Sequence, residues 1–459
     1  MLDHKVVNTL GENIQGIVIK PGDKNYDESR KIWNAMIDRK PELIVQVTNA
    51  ADVSAALKFA IENKLEITVR GAGHNIAGNC ICDGGLMIDF STMNKVSVDK
   101  EKKTALVQPG ATLKDFDAES QKYGLATPVG INSTTGIAGL TLGGGFGWLT
   151  RKYGFTIDNL LSAEVVTVNG EILRASKEEN SDLFWAIRGG GGNFGIVTEF
   201  EFKLYPVGPE ILSGLLVFPF KDAKNILKQY RDFIPTTPSE FNAWIVLRKA
   251  PPLPFLPENV HGKEVVVMAI AVIDDLEKNE KLVDTLRGFG QAVGEQVGRM
   301  PYVNWQQAFD PLLTPGARNY WKSHNFTELS DGAIDQMIEY AGKLPSPQCE
   351  IFFTYLEGKF NTVPVEAMAY PNRDLKYILN VHGRWDNSSK DKEGISWARD
   401  FFNATLKYAS PGAYVNFMTE EEQDRVKNAY GKNYNRLVEI KKKYDPNNLL
   451  RHNQNIKPA

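Results

Sequence analysis

The sequence predicts an α+β protein of more than one domain, and three observations predict it. Helical and strand patterns alternate through the first half of the chain. A seam follows, bracketed by Pro206 and Pro209. Beyond it, β-rich runs are separated by polar, helix-like runs, the pattern of an antiparallel sheet covered by helices. A length of 459 residues leaves room for two to four domains at about 150 residues each.

Each element follows from local pattern. Val53, Ala56, Leu57, Ala60 and Ile61 recur at helical spacing, so a helix is expected there. LEITVRGAGH reads as a strand running into a glycine turn. EVVTVNGEILRAS predicts a hairpin, with Asn169-Gly170 as a two-residue type I′ turn. In FGIVTEFEFKLYP, Phe200, Phe202 and Leu204 alternate with Glu199, Glu201 and Lys203, a strand with one wet face. Past the seam, LSGLLVFPF, FNAWIVLRK, KEVVVMAIAVI, EIFFTYLEG and LKYILNVHGRW predict strands. DDLEKNEKLVDTLRGF and DGAIDQMIEYAGKL predict helices between them, and APPLPFLPENVHG from Ala250 predicts a loop. A C-terminal helix should run to KKKYDP, where Asp445-Pro446 stops it.

Composition excludes several classes. Hydrophobic content of 42% and charged content of 24% rule out a disordered chain, a collagen-like chain or a disulfide scaffold. Lys+Arg 53 against Asp+Glu 56 gives a net charge of -3, so bulk charge gives no pull toward nucleic acid or an anionic membrane. Cys80 and Cys82 are too close to bridge easily, and three cysteines in all favour a reducing, cytoplasmic location. No apolar run reaches membrane-spanning length. MLDHKVVNTLGENIQG lacks the apolar core of a signal peptide, and the glycosylation sequons at Asn132, Asn325, Asn387 and Asn403 then read as chance.

The clustering of glycine is more informative than its amount. Gly130 to Gly147 reads GINSTTGIAGLTLGGGFG, and Gly189 to Gly195 reads GGGGNFG. Such runs let backbone approach a ligand and aim N–H groups at a pyrophosphate, or they serve tight turns and close strand packing. No GxxxxGK[ST] is present. Gly190, Gly192 and Gly195 satisfy GxGxxG but open the strand IVTEFEF instead of a helix, which excludes a Rossmann site. The sharper feature is Arg70-Gly71-Ala72-Gly73-His74-Asn75, because histidine is scarce here, with six in all.

Taken together, these segments resemble the berberine-bridge-enzyme-like flavoproteins of the vanillyl-alcohol-oxidase superfamily, over nearly the whole chain. RGAGHN is similar to the family's pyrophosphate loop, which ends in its flavin-attaching histidine. GINSTTGIAGLTLGGGFGWLTRKYGFTIDNLLSAEVVTVNGE resembles its central signature, and DLFWAIRGGGGNFGIVTEFEFKLYP the end of its flavin domain. Tyr414-Val415-Asn416-Phe417 is similar to its Y-x-N-[YF] strand. YGKNYNRLVEIKKKYDPNNLLRHNQNI resembles its C-terminal signature.

The resemblance implies a bilobal fold. A PCMH-type FAD-binding domain would comprise residues 1–206, completed by 414–459. A substrate domain over 207–413 would lay an antiparallel sheet across the flavin ring. FAD would be held by an 8α-N1-histidyl bond to His74, with the backbone amides of Arg70, Gly71, Ala72, Gly73 and Asn75 on its pyrophosphate. Gly130, Asn132, Thr134, Thr135, Gly136 and Gly139 would line the cofactor. So would Gly143, Gly144, Gly145 and Gly147, then Gly195 and Val197. Asn416, Asn453 and Asn455 would hydrogen-bond it.

Many members carry a second tether, a cysteine in a G-x-C-P-T-V-G pattern. Asn132 occupies that position here, so a single covalent bond is expected. Thr135 falls at the family's oxygen gate, where valine admits O₂ and isoleucine hinders it. Threonine is close to valine in shape, which favours an oxidase using molecular oxygen over a dehydrogenase with another acceptor. Tyr414 matches the tyrosine that acts as base in sugar-oxidising members, the substrate being a small alcohol, sugar or cyclic amine. A flavin-binding protein without catalysis is the alternative from another class. Strand alternation in LKYILNVHGRW puts Asn380, His382 and Arg384 on one face; Glu350 begins another run, and Tyr320, Lys322 and His324 in RNYWKSHNF are a further set of polar candidates.

Overall fold

The computed structural model describes residues 4–459. Its architecture is α+β, as the sequence predicts, with three larger sheets. The first joins strands Ile17–Ile19, Leu43–Gln46, Leu86–Asp89 and Ile67–Arg70 in that spatial order. Leu43–Gln46 and Ile67–Arg70 both run parallel to Leu86–Asp89. That direction needs a crossover, which the helix Ala50–Glu62 supplies. Asn49 caps it through Asp52 N–H, and Val53, Ala56, Leu57 and Ala60 are buried. Ile61, expected on the same face, is instead exposed.

The second sheet is antiparallel throughout: Val96–Asp99, Thr104–Val107, Ile196–Lys203, Leu160–Val166 and Ile172–Ser176. Phe200, Phe202 and Leu204 turn into the core, as their alternation predicts. The hairpin from Leu160 to Ser176 forms, but its turn differs from the expected type I′. Only Gly170 has a positive φ, +78°, whereas type I′ needs two such residues. Gly170 N–H donates to Thr167 O, and Thr167 N–H to Glu171 O. The loop is therefore one residue longer than the dipeptide suggests.

Between Glu210 and Trp385 lies a seven-stranded sheet. Its order is Gly294–Pro301, Glu210–Pro219, Glu264–Val272, Phe241–Lys249, Glu350–Tyr355, Tyr377–Trp385 and Arg318–Phe326, every pair antiparallel. The predicted helices Leu276–Arg287 and Asp331–Ala341 form, joined by Ala223–Phe233 and Asp391–Thr405. Ile245, Leu247, Met268, Ile351 and Leu379 face these helices in one apolar core with Ile226, Leu227, Ile334 and Met337. Truncating one such side chain costs about 2–5 kcal/mol. The alternate residues Trp244, Val246, Phe352 and Ala269 face the other way, toward the glycine-rich half of the chain.

The C-terminal helix Tyr434–Tyr444 ends before Asp445-Pro446, as expected. Inside it, Lys441 is fully buried. Its Nζ donates to Asn193 O at 2.8 Å, Asp445 Oδ2 at 2.7 Å and Leu450 O at 3.0 Å. One ammonium thus pins the chain terminus to the GGGGNFG loop, and its three donors are all used. Lys441→Met strands the Asp445 carboxylate in the core, a change expected to cost about 3–5 kcal/mol. The fall in the urea midpoint, followed by circular dichroism, checks it; an unshifted midpoint would show that the pin is dispensable.

Candidate active site

A cavity of about 380 Å³ lies between the glycine loops and the open face of the seven-stranded sheet. Gly71, Ala72, Gly73, His74 and Asn75 line one end. Gly130, Asn132, Thr135, Gly136, Gly139 and Gly143 line its floor, with Gly195 and Val197. Tyr414, Asn416 and Asn453 complete the residues predicted for the cofactor or for catalysis that reach it, and Glu350 and His382 of the further polar candidates reach it too.

The remainder sit behind the lining. Arg70 ends the strand Ile67–Arg70 and is committed to structure. Its Nε and Nη2 grip Asp89 at 2.9 and 2.7 Å, and Nη1 donates to the carbonyls of Ser29 and Lys31. Gly147 packs where a Cβ would lie 1.9 Å from Val129 O, while Gly144 and Gly145 pack beneath Tyr414 and Thr156. Asn455 is half-buried and outside the lining, with its buried Oδ1 unpartnered. Thr134 acts through His74.

His74 is set by its neighbours. Its Nε2 is 2.8 Å from Thr134 Oγ1. Thr134 Oγ1–H donates to Asn132 Oδ1 at 2.8 Å, so the threonine oxygen accepts from Nε2–H. Nδ1 is then the ring nitrogen that carries a lone pair, and among the described residues none hydrogen-bonds it. The imidazole stacks on Trp33, centroids 4.9 Å apart and 23° between planes. Burial, then the charge of Arg384, holds the imidazole pKa down to about 3, so the ring is neutral at physiological pH. Trp33 is itself clamped, its N–H to Gly73 O and Nε1–H to Leu313 O, both 3.0 Å.

Tyr414 precedes a single 3-10 turn, Val415–Phe417, and not the strand expected there; Asn416 is turned in toward Gly143. A Cβ on Gly143 would lie 2.2 Å from Asn416 Oδ1, so only glycine permits this approach. The Tyr414 hydroxyl accepts from Gly145 N–H at 3.0 Å and Asn416 Nδ2–H at 3.2 Å. Burial outweighs both bonds and lifts its pKa to about 12. No cation contributes to that balance.

Opposite the glycine loops the wall is aromatic. Trp148, Trp244, Phe146, Phe309, Phe352 and Phe417 all line the cavity. Trp148 and Trp244 lie 4.3 Å apart, and Trp244 stacks parallel to Phe352 at 6.0 Å. Phe309 is brought in by its neighbour Asp310, which accepts from Ser133 N–H at 2.9 Å and from the Ser133 hydroxyl.

One polar row crosses this wall. The register pairs Arg248 with Glu350, Glu350 with His382, and His382 with Trp321. Arg248 Nη1 donates to Glu350 Oε2 at 2.8 Å, and Glu350 Oε1 lies 3.2 Å from His382 Nδ1. Burial alone would raise the Glu350 pKa; Arg248, then His382 and Arg384, pull it down to about 2. Sequence alternation put Asn380, His382 and Arg384 on one face, and the structure agrees. Of the three, only His382 lines the cavity. Arg384 lies over Trp33 and bonds Asn319 and Thr314. Asn380 is buried with both amide atoms unpartnered. Tyr320, Lys322 and His324 face away: Lys322 pairs with Glu421 and Glu422, and His324 stacks on Phe402. Sequence reasoning missed Trp33 and Arg248. Neither lies in a motif, and their roles depend on contacts with distant strands and loops.

The cavity fits an FAD by its own chemistry. Asn79 Nδ2 and Asn453 Oδ1 are buried, unpartnered and in or on its lining, and buried polar groups need partners. A Cβ at Gly139 or Gly192 would meet nothing within 4 Å, so these loops leave space beside them.

Comparison with known proteins agrees. A family profile described as FAD binding domain matches residues 41–176, and one described as berberine and berberine like matches 413–457. An FAD-linked oxidoreductase of Dictyostelium discoideum is 34% identical over 99% of this chain and 97% of its own. (R)-6-hydroxynicotine oxidase of Paenarthrobacter nicotinovorans is 30% identical over 97% of each. The crystal structure of 6-hydroxy-D-nicotine oxidase from Arthrobacter nicotinovorans superposes with a TM-score of 0.86 at 28% identity, covering 97% of this chain and 98% of that one. Cofactor cavity, fold and sequence agree: the chain belongs to the berberine-bridge-enzyme-like family of FAD-linked oxidoreductases.

Proposed function

We propose that this protein is an FAD-dependent oxidase of a small, largely apolar amine, with the flavin bound once, through His74. The observation that carries the substrate class is the state of Tyr414. Its hydroxyl is buried, accepts two N–H bonds and stays protonated to about pH 12. A tyrosine in that state donates and orients; it does not take a proton from an alcohol at neutral pH. A neutral amine needs no strong base to give up a hydride. The aromatic wall suits such a substrate, and the relatives named as nicotine oxidases act on molecules of that type.

In this reading residues 1–206 and 414–459 hold the cofactor, and 207–413 carry the substrate wall. His74 Nδ1 forms the tether. The backbone amides of Gly71 to Asn75 face the pyrophosphate, and Asn79 and Asn453 gain partners. Asn132 has no thiol and engages Thr134 instead, which leaves His74 as the single covalent link. When bound, FAD supplies the chemistry, taking a hydride from a substrate carbon and passing the electrons to molecular oxygen to give hydrogen peroxide. The chain's own residues exclude water with the aromatic wall, orient substrate against Tyr414 and keep Thr135, small, at the cavity surface. Three buried, unpaired thiols suit the reducing environment of the cytoplasm.

Three outcomes follow. Acid precipitation should leave a yellow pellet and a flavin-bearing peptide containing His74; flavin wholly in the supernatant rejects the tether. An anaerobic panel of cyclic amines, alcohols and sugars should bleach the flavin with amines, and air should restore the colour rapidly. Bleaching by sugars alone overturns the substrate class, and slow recovery in air reassigns the enzyme as a dehydrogenase. Tyr414→Phe should slow bleaching without moving its pH profile between pH 6 and 9, because the group does not titrate there. A pH-rate limb that disappears in this variant would restore Tyr414 as the base.

A further inference from the structure

Most aliphatic amines are cations at neutral pH, with pKa values near 10, and a cationic amine has no free electron pair to support the loss of a hydride from the adjacent carbon. On the amine reading above, the site therefore needs a group that accepts one proton. We propose that His382, oriented by Glu350, is that proton acceptor.

The geometry fixes which ring nitrogen does the work. A carboxylate only accepts hydrogen bonds, so the Nδ1 that lies 3.2 Å from Glu350 carries hydrogen. Nε2 of the neutral ring is then a lone-pair acceptor. It is buried and has no hydrogen-bond partner, while its residue lines the cavity beside Trp321 and Phe352. Trp321 meets the ring edge-on at 4.5 Å and 69°, which fixes its orientation. An unpartnered acceptor in such a place is costly unless a ligand satisfies it.

Electrostatics agree. The charged groups facing the ring are Glu350 and Arg248 from neighbouring strands and Arg384 on its own strand; Trp321 and the Phe417 segment add no charge. Burial, reinforced by the two arginines, lowers the imidazole pKa despite Glu350, so the ring enters the reaction neutral; the same burial and the same arginines disfavour a substrate ammonium, which has no carboxylate of its own, and that is what lets its proton pass to the ring. The step moves one proton and no electrons. A substrate N–H bond breaks with its pair staying on nitrogen, and an Nε2–H bond forms. Positive charge passes from an ammonium among aromatic rings to an imidazolium hydrogen-bonded to a carboxylate, where it is compensated. Glu350 is a positioning residue: it holds the tautomer and stabilises the product cation, as the aspartate does in a catalytic triad. Arg248 keeps Glu350 ionised.

The test uses holoenzyme and ¹⁵N-labelled cumylamine, a phenyl-substituted aliphatic amine with no hydrogen on the carbon next to nitrogen, so it binds without being oxidised. At pH 7.5 the bound ¹⁵N resonance should sit at the neutral-amine position in wild type and at the ammonium position in His382→Gln. Glu350→Gln, which keeps the imidazole and its ring contacts, should shift the resonance toward ammonium, and Glu350→Asp should restore it. Flavin content confirms that each variant is folded. An ammonium resonance in wild type, or a neutral one in both wild type and His382→Gln, overturns the role of His382 and leaves the amine reading standing. Wild-type holoenzyme that fails to bind cumylamine overturns the amine reading, and this assignment with it.

Discussion

The contact on which the site depends is the close approach of the returning C-terminal segment to the glycine-rich floor. Gly143 yields its side-chain volume to Asn416, and Gly145 gives its N–H to the Tyr414 hydroxyl. These contacts place Tyr414 and Phe417 between the two halves of the molecule. Phe417 meets Phe146, Trp321 and Phe352, centroids 5.9, 5.6 and 6.1 Å away, so one turn of chain joins the floor to the sheet. The buried Lys441 holds the same C-terminal stretch down from the other side, through Asn193. Loosening either end would open the cavity before it unfolded either sheet.

A second constraint works at the histidine end. Strand Ile67–Arg70 delivers the glycine turn, and Arg70 holds it by gripping Asp89 and the carbonyls of Ser29 and Lys31. That grip also positions the segment bearing Trp33, against which His74 stacks. The Arg70 side chain thus fixes the turn from behind. A glycine cluster read as one cradle proves to be divided in the same way. Gly139 and Gly143 face the cavity, whereas Gly147 is a packing glycine against Val129.

How much of this was legible depended on whether the signal was local. The helix Ala50–Glu62, five strands of the large sheet and the turn before His74 announce themselves by periodicity or by glycine. Two strands did not. Gly294–Pro301 is a polar edge strand, and Arg318–Phe326 carries polar residues on both faces: Asn319, Ser323 and Asn325 alternate with Lys322 and His324. No hydrophobic alternation marks them. The Arg248–Glu350–His382 row was invisible for another reason. Its cross-strand contacts join residues 102 and 32 apart in sequence, so alternation could place His382 on a face but could not choose its neighbours. The 3-10 turn at Val415–Phe417 likewise answers to Gly143 and Gly145, far away in the chain.

Two of the ionisable groups that line the cavity, Tyr414 and His382, are pushed apart by one physical cause acting on opposite chemistry. Burial disfavours charge, so it keeps the Tyr414 phenol protonated and the His382 imidazole unprotonated. At neutral pH the cavity then offers one hydroxyl that can donate and one ring nitrogen that can accept, with no net charge on either. Environments that drive titratable groups apart in this way commonly divide the donor and acceptor roles of a site between them. Here the division is enforced from outside the cavity. Gly145 and Asn416 consume the lone pairs of the phenol oxygen, and Glu350 consumes the Nδ1 proton of the imidazole. Each bond leaves its group one free function, an O–H on Tyr414 and a lone pair on His382 Nε2.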